Sequence, residues 1–344
     1  MRIAISWSGM PVYAAKLIKE GLKNNDNSIT LLTTNIQVSI EITQEITNRK
    51  IHIISPEKNI KWSDLGLETP EIYFQAGWFI KSFNQLGLQV KRNGGKVVVL
   101  SDNCWKNNLR QYLGYFKFNL LYRNRFDAAW VPGKSGQRFM KFLGFKEDKI
   151  FTGLYGSDPD VFFSDKSIFS REKCFIFVGQ LIPRKGIKSL LIAFNRFYQK
   201  NPDWKLKIYG RGELDFLIDS SDGVDFYNFA SPDEIALALR SSRFLVLPSL
   251  EDHWPLVVSE AALSGCGLIL SNKIGNSYEF LTSENGFSFK ANSSDELYNC
   301  LWLASTLSDE SLVKTQNISL ELGSRYHTKH WKFKFDQIIG DLKN

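Results

Sequence analysis

The chain has 344 residues, 43% hydrophobic and 23% charged, which fits a globular protein of more than one ordinary core. It has no apolar run of about 18 residues to span a membrane, and its four scattered cysteines (Cys104, Cys174, Cys266, Cys300) exclude a disulfide framework and have no zinc or redox spacing. The net charge of +7 lies wholly in the first half: residues 1–165 hold 22 Lys and Arg against 15 Asp and Glu, and residues 166–344 hold 21 of each. Such asymmetry marks either an anionic partner or a solvated basic face.

The start, MRIAISWSGM, lacks a long apolar signal region, which leads us to expect a cytoplasmic protein. Arg2–Trp7 predicts a strand and Val12–Leu22 an amphipathic helix. Ile29–Thr33, Ile51–Ile54, Ile72–Gln75 and Lys96–Leu100 predict further strands. Residues 97–114 then run from a strand into VVVLSDNCWKNNLRQYLG, so Ser101, Asp102 and Asn103 reach the carboxyl end of a sheet. Asp102 is placed either to hold a ligand's hydroxyl or to cap a helix.

Between Trp105 and Phe126 stand five bases (Lys106, Arg110, Lys117, Arg123, Arg125) and no acid, interleaved with aromatic rings. One helix of that composition suits a membrane interface or single-stranded nucleic acid, or buries its rings and leaves its bases in water. Phe126–Val131 and Lys149–Thr152 predict strands flanking a helix over Ser135–Leu143. Asp158-Pro159-Asp160 lies in a linker, SDPDVFFSDK, and has the form of either a turn or a metal-binding D-x-D.

After residue 165 the pattern restarts with strands Cys174–Val178, Lys205–Tyr209 and Val224–Tyr227 and helices Gly186–Tyr198 and Pro232–Leu239. Strands alternating with helices imply parallel sheets, each with its ligands at the strands' carboxyl ends. Leu245–Leu270, LVLPSLEDHWPLVVSEAALSGCGLIL, reads as strand, polar loop, helix, strand. Pro255 suits a first helical position, and the helix start offers free N–H groups to an anion. Asp252 before the helix and Glu260 on it supply fixed acceptors, so the segment suits a diphosphate flanked by sugar and ribose hydroxyls. Another helix is expected over Ser294–Ala304, and the tail Gly323–Asn344 is amphipathic.

PSLEDHWPLVVSEAALSGCGLILS resembles the signature of retaining, family 4-like GT-B glycosyltransferases, a group that includes bacterial O-antigen and capsule enzymes. Pro248, Ser249, Glu260-Ala261 and Gly265 match it, and Asp252 falls on the usual first glutamate. Pro255 replaces a common glycine, and Gly267 a final proline. FIFVGQLIPRKG is similar to the same family's V-G-R-L-x-x-x-K-G: Gly179, Lys185 and Gly186 are kept, and Gln180 replaces the arginine, with Arg184 adjacent. LKIYGRGEL and VDFYNFASPDE match further segments, as do Lys273-Ile274-Gly275-Asn276 and Glu279, and Asp102-Asn103, Trp105, Arg110-Gln111 and Phe126–Gly133 fit a subgroup of sugar transferases.

The resemblance implies an α/β fold of GT-B type, two doubly wound Rossmann-like domains facing a cleft. The domains would span 1–165 (acceptor side) and 166–322 (nucleotide-sugar donor), with 323–344 a helix returning to the first. It implies a hexosyltransferase moving a sugar from a UDP- or GDP-sugar to a hydroxyl of a lipid-linked surface-glycan precursor, without cofactor or metal. Asp252, Lys185 and Asp102 would carry the chemistry. Glu260, Gln180, Arg184, Gly179 and the amides around Trp254, Leu256 and Val257 would hold the donor. Phe229 either meets the nucleobase or fills the core. Partners would be the nucleotide sugar, the acceptor and the inner membrane surface, and not nucleic acid. A binding-only subunit, kept open by Gln180, Asp252 and Pro255, and a sugar-nucleotide epimerase are the alternative readings.

Overall fold

The structure, a computed structural model, describes residues 1–34, 39–218, 222–228 and 230–343. In chain order its first elements are β1 (Arg2–Ser8), α1 (Val12–Leu22), β2 (Ser28–Thr34), α2 (Ile40–Thr47), β3 (Ile51–Ile53), β4 (Ile72–Ala76), α3 (Lys81–Arg92), β5 (Lys96–Leu100), α4 (Leu109–Leu121), β6 (Ala128–Trp130), α5 (Lys134–Phe142) and β7 (Ile150–Phe151). There follow β8 (Glu172–Val178), α6 (Ile187–Tyr198), β9 (Lys205–Tyr209), β10 (Val224–Tyr227), α7 (Pro232–Ser241), β11 (Ser242–Leu247), α8 (Leu256–Leu263), β12 (Gly267–Ser271), α9 (Ser277–Phe280), β13 (Gly286–Phe289), α10 (Ser294–Ser305), α11 (Asp309–Gly323) and α12 (Thr328–Lys343).

Two compact units result, Met1–Gly156 with Thr328–Asn344, and Ser157–His327. The expected bounds were 165 and 323. The first unit closes sooner because Ser157 already bonds within the second, its N–H donating to Tyr326 O and its hydroxyl sharing a 2.6 Å hydrogen bond with Ser259.

In the first unit seven parallel strands run in the order β3-β2-β1-β4-β5-β6-β7. Side chains alternate between the two faces, as a strand's period of two requires. One face buries Ile3, Ile5, Phe74, Val98 and Trp130 against α1 and α12. The other buries Ala4, Tyr73, Val97 and Val99 with Trp62, Phe83 and Met140. Helix α12 is integral to the first core: the Trp331 ring packs tilted against Trp130 at 4.8 Å, and its indole N–H donates to Leu154 O at 2.9 Å. Gly21 of α1 makes room for it, since a Cβ there would lie 2.5 Å from Trp331.

In the second unit six parallel strands run in the order β10-β9-β8-β11-β12-β13. Its core is phenylalanine-rich, with Phe175 stacked on Trp204 at 4.5 Å and edge-on to Phe197 at 5.5 Å. Pro255 stands one place before the expected position: it is the N-cap of α8, whose first helical residue is Leu256. Among the described residues no helix is long and apolar enough to cross a membrane.

Candidate functional site

The strand order of the second unit reverses direction between β8 and β11, since the chain adds β9 and β10 on one side and β12 and β13 on the other. A sheet of this kind opens a crevice at that point, beyond the strands' carboxyl ends. The loop leaving β8 carries Gly179–Gly186, and the loop leaving β11 carries Pro248–Pro255. The two are tied together, with Leu250 N donating to Arg184 O at 2.8 Å. Gly186 explains how they come so close. It sits at φ +70°, and a Cβ there would lie 2.1 Å from Pro248 O, so only glycine fits both the turn and the approach.

This closure brings Lys185 and Asp252 into direct contact, Lys185 Nζ donating to Asp252 Oδ2, each side chain 12% exposed. Arg184 lies 3.9 Å from the same oxygen and donates to Glu251 O at 2.7 Å. The Asp252 backbone is held from the other side by the loop after β12: its N–H donates to Lys273 O at 3.1 Å, and its carbonyl accepts from Gly275 N at 2.8 Å. Asn276, buried, donates to Pro255 O at 3.0 Å and leaves its own Oδ1 buried without a hydrogen-bond partner. The carboxylate is therefore positioned by three loops.

Of the other expected donor residues, Leu256 and Val257 open α8, where no preceding helical carbonyl is available to their N–H groups. The first bond of the turn is Val258 N to Pro255 O, 3.1 Å. Glu260 is half-buried and lies four residues beyond Leu256, on the same face of α8. Trp254 buries its ring, 6.1 Å from Phe280 and 5.8 Å from Tyr326, so the group it can offer a ligand is the backbone amide that was expected. Gly179 donates to Tyr209 O and lets Gly210 approach, whose Cβ would meet Gly179 O at 1.9 Å.

Gln180 does not join the Lys185–Asp252 pair. It lines a recess of about 520 Å³ with Ile182, Arg211, Gly212, Asp215 and Asn228. Arg211, Asp215 and Asn228 were not named individually; LKIYGRGEL, with its G-x-G turn after β9, and VDFYNFASPDE were the signals for them. Phe229 lies outside the described residues.

The first unit has its own reversal point, between β1 and β4, and a pocket of about 350 Å³ opens there. Asp102 lines it, as do Trp7, Tyr13, Phe79 and Tyr155. The three aromatic rings at its wall touch one another, with Trp7–Tyr13 at 6.2 Å and Tyr13–Tyr155 at 5.7 Å. Burial raises the Tyr155 hydroxyl well above its ordinary value, and the neighbouring Asp102 carboxylate and Tyr13 push the same way. Burial also raises Tyr13, against hydrogen bonds from Trp7 and Tyr155. Both phenols therefore stay protonated. Asp102 sits in the pocket, exposed, rather than capping α4, whose N-cap is Asn108 accepting from Gln111 N at 3.0 Å. Trp7 and Tyr13, near the start of the chain, and Tyr155, far along it, were not expected at a site.

Asp158-Pro159-Asp160 forms a turn, with Asp158 Oδ1 accepting from Asp160 N at 3.1 Å.

Residues 160–314 match the family model of glycosyl transferases group 1. The fold of the chain is GT-B. A solved Anabaena protein, HepE in complex with UDP and glucose, superposes with a TM-score of 0.77 over 99% of this chain and 100% of its own, at 14% identity. The lipopolysaccharide outer core galactosyltransferase WaaB superposes with a TM-score of 0.68 over 99% of each chain, at 15% identity. In sequence the chain is similar to an uncharacterized glycosyltransferase of Haemophilus influenzae, 29% identical over 179 residues, which cover 50% of this chain and 48% of the relative. The chain spans less than half the length of the curated relatives it matches. The group 1 match encloses the whole Lys185–Asp252 site and Glu260.

Proposed function

We propose that this protein is a retaining glycosyltransferase that moves a hexose from a UDP- or GDP-sugar to a hydroxyl of a lipid-linked surface-glycan precursor. In this reading it works in the cytoplasm at the inner face of a bacterial membrane. The observation that carries the proposal is the Lys185–Asp252 pair at the β8/β11 reversal point beside the start of α8. One cation, one carboxylate and a row of helix-start amides in one crevice are what a sugar linked to a diphosphate requires.

On donor binding, Lys185 turns from Asp252 to the diphosphate, and Asp252 is released to accept hydrogen bonds from sugar hydroxyls. Glu260 accepts from the ribose. The sugar's bond to the diphosphate breaks, and the charge that develops on the leaving oxygen is met by Lys185, Arg184 and the Leu256 and Val257 amides. The acceptor hydroxyl attacks on the face the nucleotide leaves and gives its proton to the departing phosphate. The protein then needs no base of its own; positioning and charge stabilisation are its part. Asp102 holds the acceptor hydroxyl within its aromatic pocket. No metal or cofactor enters this scheme. HepE was solved with UDP and glucose, and WaaB is a lipopolysaccharide enzyme; both lend support to the donor and acceptor classes.

The test is a panel of nucleotide sugars, read first by thermal shift and then by donor turnover and the anomeric configuration of the product. A true donor at about 100 times its dissociation constant stabilises by about 2.7 kcal/mol. Lys185→Ala is expected to lower turnover by about a hundredfold or more. An inverted product, or a panel in which no UDP- or GDP-sugar binds, rejects the proposal.

A further inference from the structure

Helix α4 turns an apolar stripe outward. Leu109, Leu113, Phe116 and Leu120 are 75%, 65%, 70% and 84% exposed. At about 100° per residue these four positions fall within about 60° of one another. Phe118, on the opposite side, is buried against Trp78 at 5.0 Å. A surface helix ordinarily shows water its polar side; α4 is apolar on both.

The structure also sorts the aromatic and basic residues of this segment, and the result differs from the composition. Phe118 and Phe126 are core residues, and Trp105 and Tyr115 pack on Phe142 at 4.7 and 5.1 Å. Arg123 donates to Gly144 O and lies over Phe145, and Arg125 lies over Tyr122. Lys106, Arg110 and Lys117 remain exposed. Arg110 and Lys117 share one flank of the stripe, about 70–90° from its centre, where snorkelling cations reach lipid headgroups.

We infer that the outer face of α4 inserts into an anionic lipid surface, with Leu109, Leu113, Phe116 and Leu120 below the headgroups and Arg110 and Lys117 among them. Charge selects the occupant. From Trp105 to Phe126 the segment carries bases and no acid, which suits anionic lipid and repels a second copy of the same face. Helix α4 also leads to the pocket of the first unit: Phe118 meets Trp78, and the exposed Phe79 beside it lines the pocket with Asp102. The docking does not depend on the transferase reading, and its test needs no substrate.

The test is flotation of the full chain with vesicles of phosphatidylcholine alone and with added phosphatidylglycerol. The protein is expected to float with the anionic vesicles. Leu113→Glu with Leu120→Glu is expected to weaken binding by about a hundredfold, about tenfold for each leucine kept out of lipid. The melting temperature should not change; if the glutamates lower it, glutamines at the same positions take their place. Arg110→Gln with Lys117→Gln is expected to remove the preference for anionic lipid and most of the salt sensitivity. Failure of the native chain to float, or binding by the Leu113/Leu120 variant equal to native, overturns the inference. So does a self-association in sedimentation that the same variant dissolves while vesicles are ignored.

Discussion

Replacing Asp252 by asparagine tests the site without any substrate. The carboxylate faces Lys185, both side chains are 12% exposed, and the pair is nearly out of water. Removing one partner of such a pair costs about 3–5 kcal/mol, because the other charge stays buried and unpaired. The geometry makes the two single variants unequal. Asp252→Asn leaves Lys185 beside a second cation, Arg184, whereas Lys185→Met leaves Asp252 with Arg184 still 3.9 Å away. The asparagine variant should therefore be the less stable. For a unit of this size, at about 2–4 °C per kcal/mol, its melting temperature should fall by roughly 6 °C or more. The double variant should lose about 1–3 kcal/mol less than the sum of the two. Adding UDP should then stabilise Asp252→Asn more than the native chain, since the diphosphate supplies the missing negative charge and no longer has to displace a carboxylate. The assay is calorimetry of all four forms with and without UDP. If Asp252→Asn melts within about 1 °C of native and the cycle is additive within about 0.5 kcal/mol, the pair is not a buried ionic unit and the reasoning fails.

Glu260→Ala is expected to weaken UDP or GDP binding by about 1.5–3 kcal/mol in titration calorimetry, the range for a hydrogen bond to a charged group; unchanged affinity removes Glu260 from the ribose. Gly186→Ala should destabilise by more than about 2 kcal/mol, because it adds a clash with Pro248 O to the cost of a positive φ, while Gly94→Ala, at φ +80° with open space around it, should cost only about 1 kcal/mol in the same denaturant series. Burial pushes the Cys174, Cys266 and Cys300 thiols up to about 11, so at pH 8 a thiol reagent should modify Cys104 well before the other three, as read by peptide mass; early loss of Cys266 would contradict the buried network around it.

The donor side of the fold was legible because its chemistry is local in sequence. Lys185-Gly186 and the run from Pro248 to Gly265 each fit within one loop and one helix, and period-two and period-3.6 patterns gave the elements from β8 to β12 and α10 to within about two residues, while α9, β13 and α11 went unread. Helix α3 went unread because Gly87 interrupts it. The glycine is there for packing, since a Cβ would lie 2.4 Å from Gln75 Oε1. The Asp102 pocket was half legible: the aspartate follows a strand, but the Trp7–Tyr13 stretch and Tyr155 meet it only because the sheet brings distant segments together. The stripe on α4 was misread as a matter of rings and charge, because composition does not say which side of a helix is already occupied. Gln180 shows the same limit, since a motif position does not fix which of two neighbouring recesses a side chain lines.

Helix α12 has a consequence for how the molecule is made. Trp331, Phe335, Ile338 and Ile339 belong to the first unit's core, yet the whole second unit is translated before them. On the ribosome the earlier-emerging unit therefore waits, with the seat for Trp331 beside Gly21 and Trp130 open, while the later and uninterrupted unit can close as soon as it is out. Birth order and completion order are reversed. During that interval the apolar face awaiting α12 is open to chaperones or to a neighbouring nascent chain.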